Sequence, residues 1–109
     1  MKTRPAKIKI LGKVYQIRYT KDAPLEEDEL GMCDPNEQSI YVRDGQPSEV
    51  EGDTILHECL HALESLLELK LRHEDVVRIT TGLHALIRDN PGLLAYLRSR
   101  NADSKMLGR

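Results

Sequence analysis

Thr54-Ile55-Leu56-His57-Glu58-Cys59-Leu60-His61-Ala62-Leu63 is the stretch on which the fold turns. Its centre reads H-E-x-x-H, and on a helix that spacing puts two imidazoles one turn apart on one face. There they can share a single zinc ion, with Glu58 beside them as a candidate general base. Every residue around the two histidines except Glu58 is uncharged. Such a helix can pack its back into a core while presenting His57 and His61 to a cleft.

Helix extends on both sides of this stretch. Ser48-x-x-Glu51 after Pro47 is a capping box, which marks Ser48 as the expected N-cap. Leu56, Cys59, Leu60, Leu63, Leu66 and Leu67 recur at three- and four-residue spacing and define the apolar face. His57, His61, Glu64 and Glu68 form the other stripe, and the helix is expected to end around 70–73. A second helix follows over about 74–89, with Val76, Val77, Ile79, Leu83, Leu86 and Ile87 toward the core. Asn90-Pro91-Gly92 stops it, and Leu93 to Arg100 suits a short third helix.

Upstream, the chain reads as strand. Lys7, Ile8, Lys9 and Ile10 alternate with period 2, and Val14 to Tyr19 resumes the alternation after the Gly12-Lys13 turn, giving a hairpin. Leu30 to Cys33 and Ser39 to Arg43 make two further short strands, joined through Asp34-Pro35-Asn36. The expected class is therefore α+β: a small antiparallel sheet, two main helices and a short C-terminal helix. One domain over residues 1–100 is expected, with a disordered tail over 101–109.

Composition narrows the function. The 109 residues contain no Trp and no Phe, so an aliphatic core must form, and a bound metal would add stability to so small a domain. A net charge of −2 argues against general nucleic-acid binding. The basic residues from Lys2 to Lys21 suit solvated strand faces, and Glu26-Glu27-Asp28-Glu29 forms an acidic knot. No apolar run reaches the ~18 residues of a membrane span, and the N-terminus lacks a signal-peptide pattern, so a cytoplasmic protein is expected. Two cysteines set far apart, Cys33 and Cys59, indicate no disulfide framework.

Catalytic zinc sites take three protein ligands and keep a position for water or substrate, so one ligand is still to be found. Glu64 suits either a supporting role, accepting from the free N–H of a ligand histidine, or a solvated place on the surface. Counting along antiparallel helices lands near Gly82 to His84, which makes His84 a competent third ligand. Glu74 reaches the same depth only if the first helix ends soon after Leu66, and His73 at the turn is a further option.

The stretch Thr54–Leu63 matches the extended zinc-peptidase signature of the zincins, and the wider layout resembles compact ImmA/IrrE-like metallopeptidases and related small phage-encoded proteins. The resemblance covers roughly residues 30–92 and is specific at the signature. It implies a zincin-like minimal fold, zinc as cofactor, His57 and His61 as ligands, Glu58 as catalytic base and Glu74 as third ligand. The chain lacks the metzincin extension, with Glu64 and Leu67 at its Gly and final His positions, and lacks the longer E-x-x-A-N/D-x-F-A helix of ImmA/IrrE proteins. The implied activity is zinc-dependent peptide hydrolysis on a peptide or protein substrate, with Tyr41, Tyr96 or His84 as candidate oxyanion donors and the Ser39–Val42 strand offering its edge to the substrate. The small size suggests a cleft completed by a partner or a second copy. The rival reading is a non-catalytic zinc-binding interaction module, for which a closed fourth protein ligand would be the mark.

Overall fold

A computed structural model describes residues 3–99. Strands β1 (Lys7–Ile10), β2 (Lys13–Thr20), β3 (Gly31–Asp34) and β4 (Ser39–Arg43) precede helices α1 (Ser48–Leu66), α2 (His73–Asp89) and α3 (Pro91–Ser99). The class is α+β, with one four-stranded sheet in the order β1-β2-β4-β3. The disordered tail expected over 101–109 lies outside the described residues.

β1 and β2 form the expected hairpin, with Ile10 opposite Lys13. Its two-residue turn, Leu11 at φ 49 and Gly12 at φ 82, has the left-handed pair that a tight hairpin requires. β3 and β4 pair antiparallel, and Asp34 Oδ1 accepts the amides of Asn36 and Glu37, each at 3.1 Å, to shape their turn. The sheet is not purely antiparallel, however. β2 and β4 run parallel, from Gln16 opposite Ser39 to Thr20 opposite Arg43. This places β4 inside the sheet and leaves β3 on the edge, so the strand with an edge to offer is β3 rather than Ser39–Val42.

Alternation explains which face is buried. Tyr15 and Ile17 on β2 and Ile40 and Val42 on β4 point to α1, joined by Ile10, Cys59 and Ala62 in one cluster. Ala62 is fully buried, and its small side chain lets the helix backbone approach the sheet. Each fully buried aliphatic side chain here contributes about 1.5–3 kcal/mol of transfer free energy. Lys7, Lys9, Lys13 and Arg18 are exposed, as the basic strand faces predict.

α1 differs from expectation at both ends. Pro47 occupies the N-cap position, Ser48 is already helical, and no side-chain capping bond forms. The C-terminus comes early, at Leu66, because Glu68 takes a left-handed conformation (φ 55). Leu69 N then donates to Glu64 O at 2.9 Å and Glu68 N to Ser65 O at 3.3 Å, satisfying the last carbonyls in a Schellman-type closure. The face toward the sheet is set by Ile55, Cys59, Ala62, Leu63 and Leu66, while Leu56, Leu60 and the exposed Leu67 lie off it.

α2 packs on α1 through a narrower stripe than expected. Val76 and Thr80 are buried and Leu83 is half-buried, whereas Val77, Ile79, Leu86 and Ile87 are exposed. Pro91 sits at the first position of α3, where its missing N–H costs nothing. Among the described residues no helix is long and apolar enough to cross a membrane.

Candidate metal centre

Three imidazoles meet where α1 faces the start of α2. His57 and His61 are one turn apart on α1, with their Nε2 atoms 3.1 Å apart. The third is His73, the first residue of α2, and one nitrogen from each ring lies within 4.8 Å of the others. Its ring centroid is 5.2 Å from that of His57 and 5.9 Å from that of His61.

The early end of α1 is what delivers His73. Only residues 67–72 separate the helices, and Glu64 ties that connection down. Its Oε2 accepts the Leu71 amide at 3.0 Å, while Oε1 lies 3.2 Å from Nδ1 of His61. One carboxylate thereby fixes both the loop and the ring. It favours the tautomer with hydrogen on Nδ1, which leaves the lone pair of His61 Nε2 facing His57.

The other sequence candidates lie elsewhere. Glu74, which the resemblance implies as third ligand, is exposed and pairs with Arg72 at 3.0 Å, so the fold does not bring it to the histidines. His84 is likewise not in the cluster: its Nδ1 meets Asp53 Oδ1, and its ring covers Gly52. Tyr41 donates to Glu37, and Tyr96 on α3 does not line the cleft. Among the described residues the cluster holds three donors and no fourth.

Glu58 lines the same cleft as the histidines. It is buried, and its Oε2 lies against β3, where a Cβ added to Gly31 would meet it at 3.1 Å. Burial, reinforced by the charge of Glu29, pushes the Glu58 carboxyl up to about 7. The same desolvation, with the neighbouring His61 and His73, holds His57 below the ordinary imidazole range. Burial, then the nearness of Glu58, pushes the Cys33 thiol up to about 12 and the Cys59 thiol to about 11, so both stay protonated and unreactive.

A cleft of about 810 Å³ opens over these groups, lined on one side by β3 and on the other by α2. The bond from Arg43 N to Leu30 O (2.8 Å) sets the ladder alternation so that Met32 and Asp34 face β4. The backbone N–H and C=O of Gly31 and Cys33 therefore point to the open edge beside the cleft.

The donor set fits a zinc ion. Nitrogens bound to one tetrahedral zinc at ~2.1 Å lie about 3.4 Å apart, close to the His57–His61 separation. His73 supplies the third nitrogen from an exposed position, within 4.8 Å of the other two. Neutral imidazoles are the required form, and the lowered pKa of His57 supplies it. No protein-family model matches the chain, and neither a curated protein nor a solved structure matches it.

Proposed function

We propose that this is a zincin-like, zinc-dependent peptidase working inside the cell, with His57, His61 and His73 as ligands and Glu58 as general base. The observation that carries the reading is the convergence of three imidazole nitrogens within 4.8 Å, beside a buried carboxyl, in an open cleft. A zinc ion held there would supply a Lewis acid that acidifies water and polarises a carbonyl. Glu58, with its carboxyl near 7, is poised to take the proton from the attacking water and return it to the leaving amine. The backbone groups of Gly31 and Cys33 that point away from β4 can hold an extended peptide by strand addition, with its carbonyl turned toward the histidines. Two cysteines kept as free thiols suit a reducing interior.

The second reading, a non-catalytic zinc-binding module, draws support from the apolar outer side of α2 and α3, where Ile79, Leu86, Leu94 and Leu97 are exposed. A structural zinc site is closed by four protein donors, and three converge here, so the catalytic reading is preferred. Replacing Glu58 by Gln separates the two. On the peptidase reading the variant keeps zinc and loses hydrolysis of a peptide library; retained cleavage would remove Glu58 from the base role.

A further inference from the structure

The cleft has an end that the hydrolytic chemistry does not use. It lies toward the N-terminus of α1, where the Gln46 amide donates to Leu30 O at 3.3 Å and joins the start of β3 to the start of the helix. Glu29 and Leu30 from the strand side, and Val50 and Asp53 from the helix side, line the cleft. Leu30 and Val50 are large aliphatic side chains left 48% and 39% exposed.

The charge at this end is of one sign. Glu29, Asp53 and Glu58 are the charged side chains, other than histidines, that line the cleft among the described residues, and no Lys or Arg does so. Both outer carboxylates are held in place. Arg43 grips the loop carrying Glu29 from behind, donating to the backbone carbonyls of Glu29 and Glu26 at 2.6 Å each. Glu29 Oε1 accepts the Glu26 amide at 2.9 Å. Asp53 is oriented by His84. Arg43 thus directs its charge into carbonyls and makes no bond to the Glu29 carboxylate, and Glu29 lines the cleft.

We infer that this end is a subsite for a lysine or arginine side chain of the substrate, next to the bond that is cut. Leu30 and Val50 would cover the aliphatic stem, and Glu29 and Asp53 would receive the cationic head. Asp53 lies one helical turn before His57, so the residue received here adjoins the carbonyl held at the histidines. The inference rests on the peptidase reading and names the substrate class for that site.

Zinc-loaded full-length protein and a library of neutral peptides with one varied position test it. The expected result is cleavage beside Lys or Arg, with kcat/KM at least about tenfold above the Met or Glu peptide. Glu29→Gln and Asp53→Asn, which keep shape and the Glu26 and His84 contacts, should each cut the Lys-over-Met ratio severalfold, and Glu29→Lys should shift preference toward Glu. Thermal midpoints near that of the wild type would show that these variants fold. Cleavage without a basic preference, or a Lys-over-Met ratio unmoved in both isosteric variants, overturns the inference alone. Cleavage of no peptide overturns the peptidase reading and the inference with it.

Discussion

Glu64 lies between His61 and the connection to α2, with one carboxylate oxygen 3.2 Å from His61 Nδ1 and the other accepting the Leu71 amide at 3.0 Å. The residue that orients the His61 ring also sets the position from which His73 departs. Glu64→Ala should therefore weaken zinc binding about 10- to 100-fold and lower stability by about 1–2 kcal/mol. Competition with a chelator reads the first effect and denaturant unfolding the second. An unchanged zinc affinity would mean that Glu64 only holds the loop.

Gly31 lets the edge strand lie against α1. A Cβ there would sit 2.6 Å from Thr54 Cγ2 and 3.0 Å from Tyr41 O. Thr54 cannot turn away freely, since its hydroxyl is engaged by Gln46 and Val50, each at 3.0 Å. Gly31→Ala should cost about 1–3 kcal/mol, measured by chemical denaturation, and should displace the Glu58 carboxylate.

Glu58 makes the metal-free protein's stability depend on pH. Its folded pKa of about 7 exceeds the unfolded value of 4.5, so its contribution is present below 4.5 and is lost as pH rises through 7. His57 acts in the opposite direction: its pKa is lowered from 6.5, so stability is lost as pH falls below that value. Glu58→Gln isolates the carboxyl. In chelator-treated protein the variant should be more stable than wild type by about 3 kcal/mol at pH 8 and by under about 1 kcal/mol at pH 5. Equal thermal midpoints at pH 8 would mean that Glu58 is solvated.

Three positions work against local stability. Leu11 and Glu68 hold positive φ with side chains that disfavour it, and buried Thr80 Oγ1 has no hydrogen-bond partner. Leu11→Asn, Glu68→Gly and Thr80→Val should each raise stability by about 0.5–1 kcal/mol, read from denaturant midpoints.

Local patterns were legible where local physics decides. The β1–β2 alternation, the turn at Asp34, the helix after Pro47 and the Asn90-Pro91 break follow from residues adjacent in the chain. The parallel pairing of β2 with β4 does not, because it is chosen by long-range burial of Ile17 against Ile40. The third imidazole was obscured for a related reason. α1 stops at Leu66 through a left-handed Glu68, where a glycine would have marked the end. Ending the helix seven residues before His73 brings that ring back over His61 and leaves Glu74 on the outer side. His84, three turns further along α2, was within reach of α1 but met Asp53 instead.

Zinc content tests the central claim most directly. Protein purified without added metal, then dialysed, is assayed for zinc as wild type and as the His57→Ala, His61→Ala, His73→Ala, Glu74→Gln and His84→Gln variants. The account predicts about one zinc per chain in the wild type, Glu74→Gln and His84→Gln proteins. It predicts little or none in the His57, His61 and His73 variants. A wild type that carries no zinc, or a His73→Ala protein that retains it while Glu74→Gln loses it, would contradict the three-histidine centre.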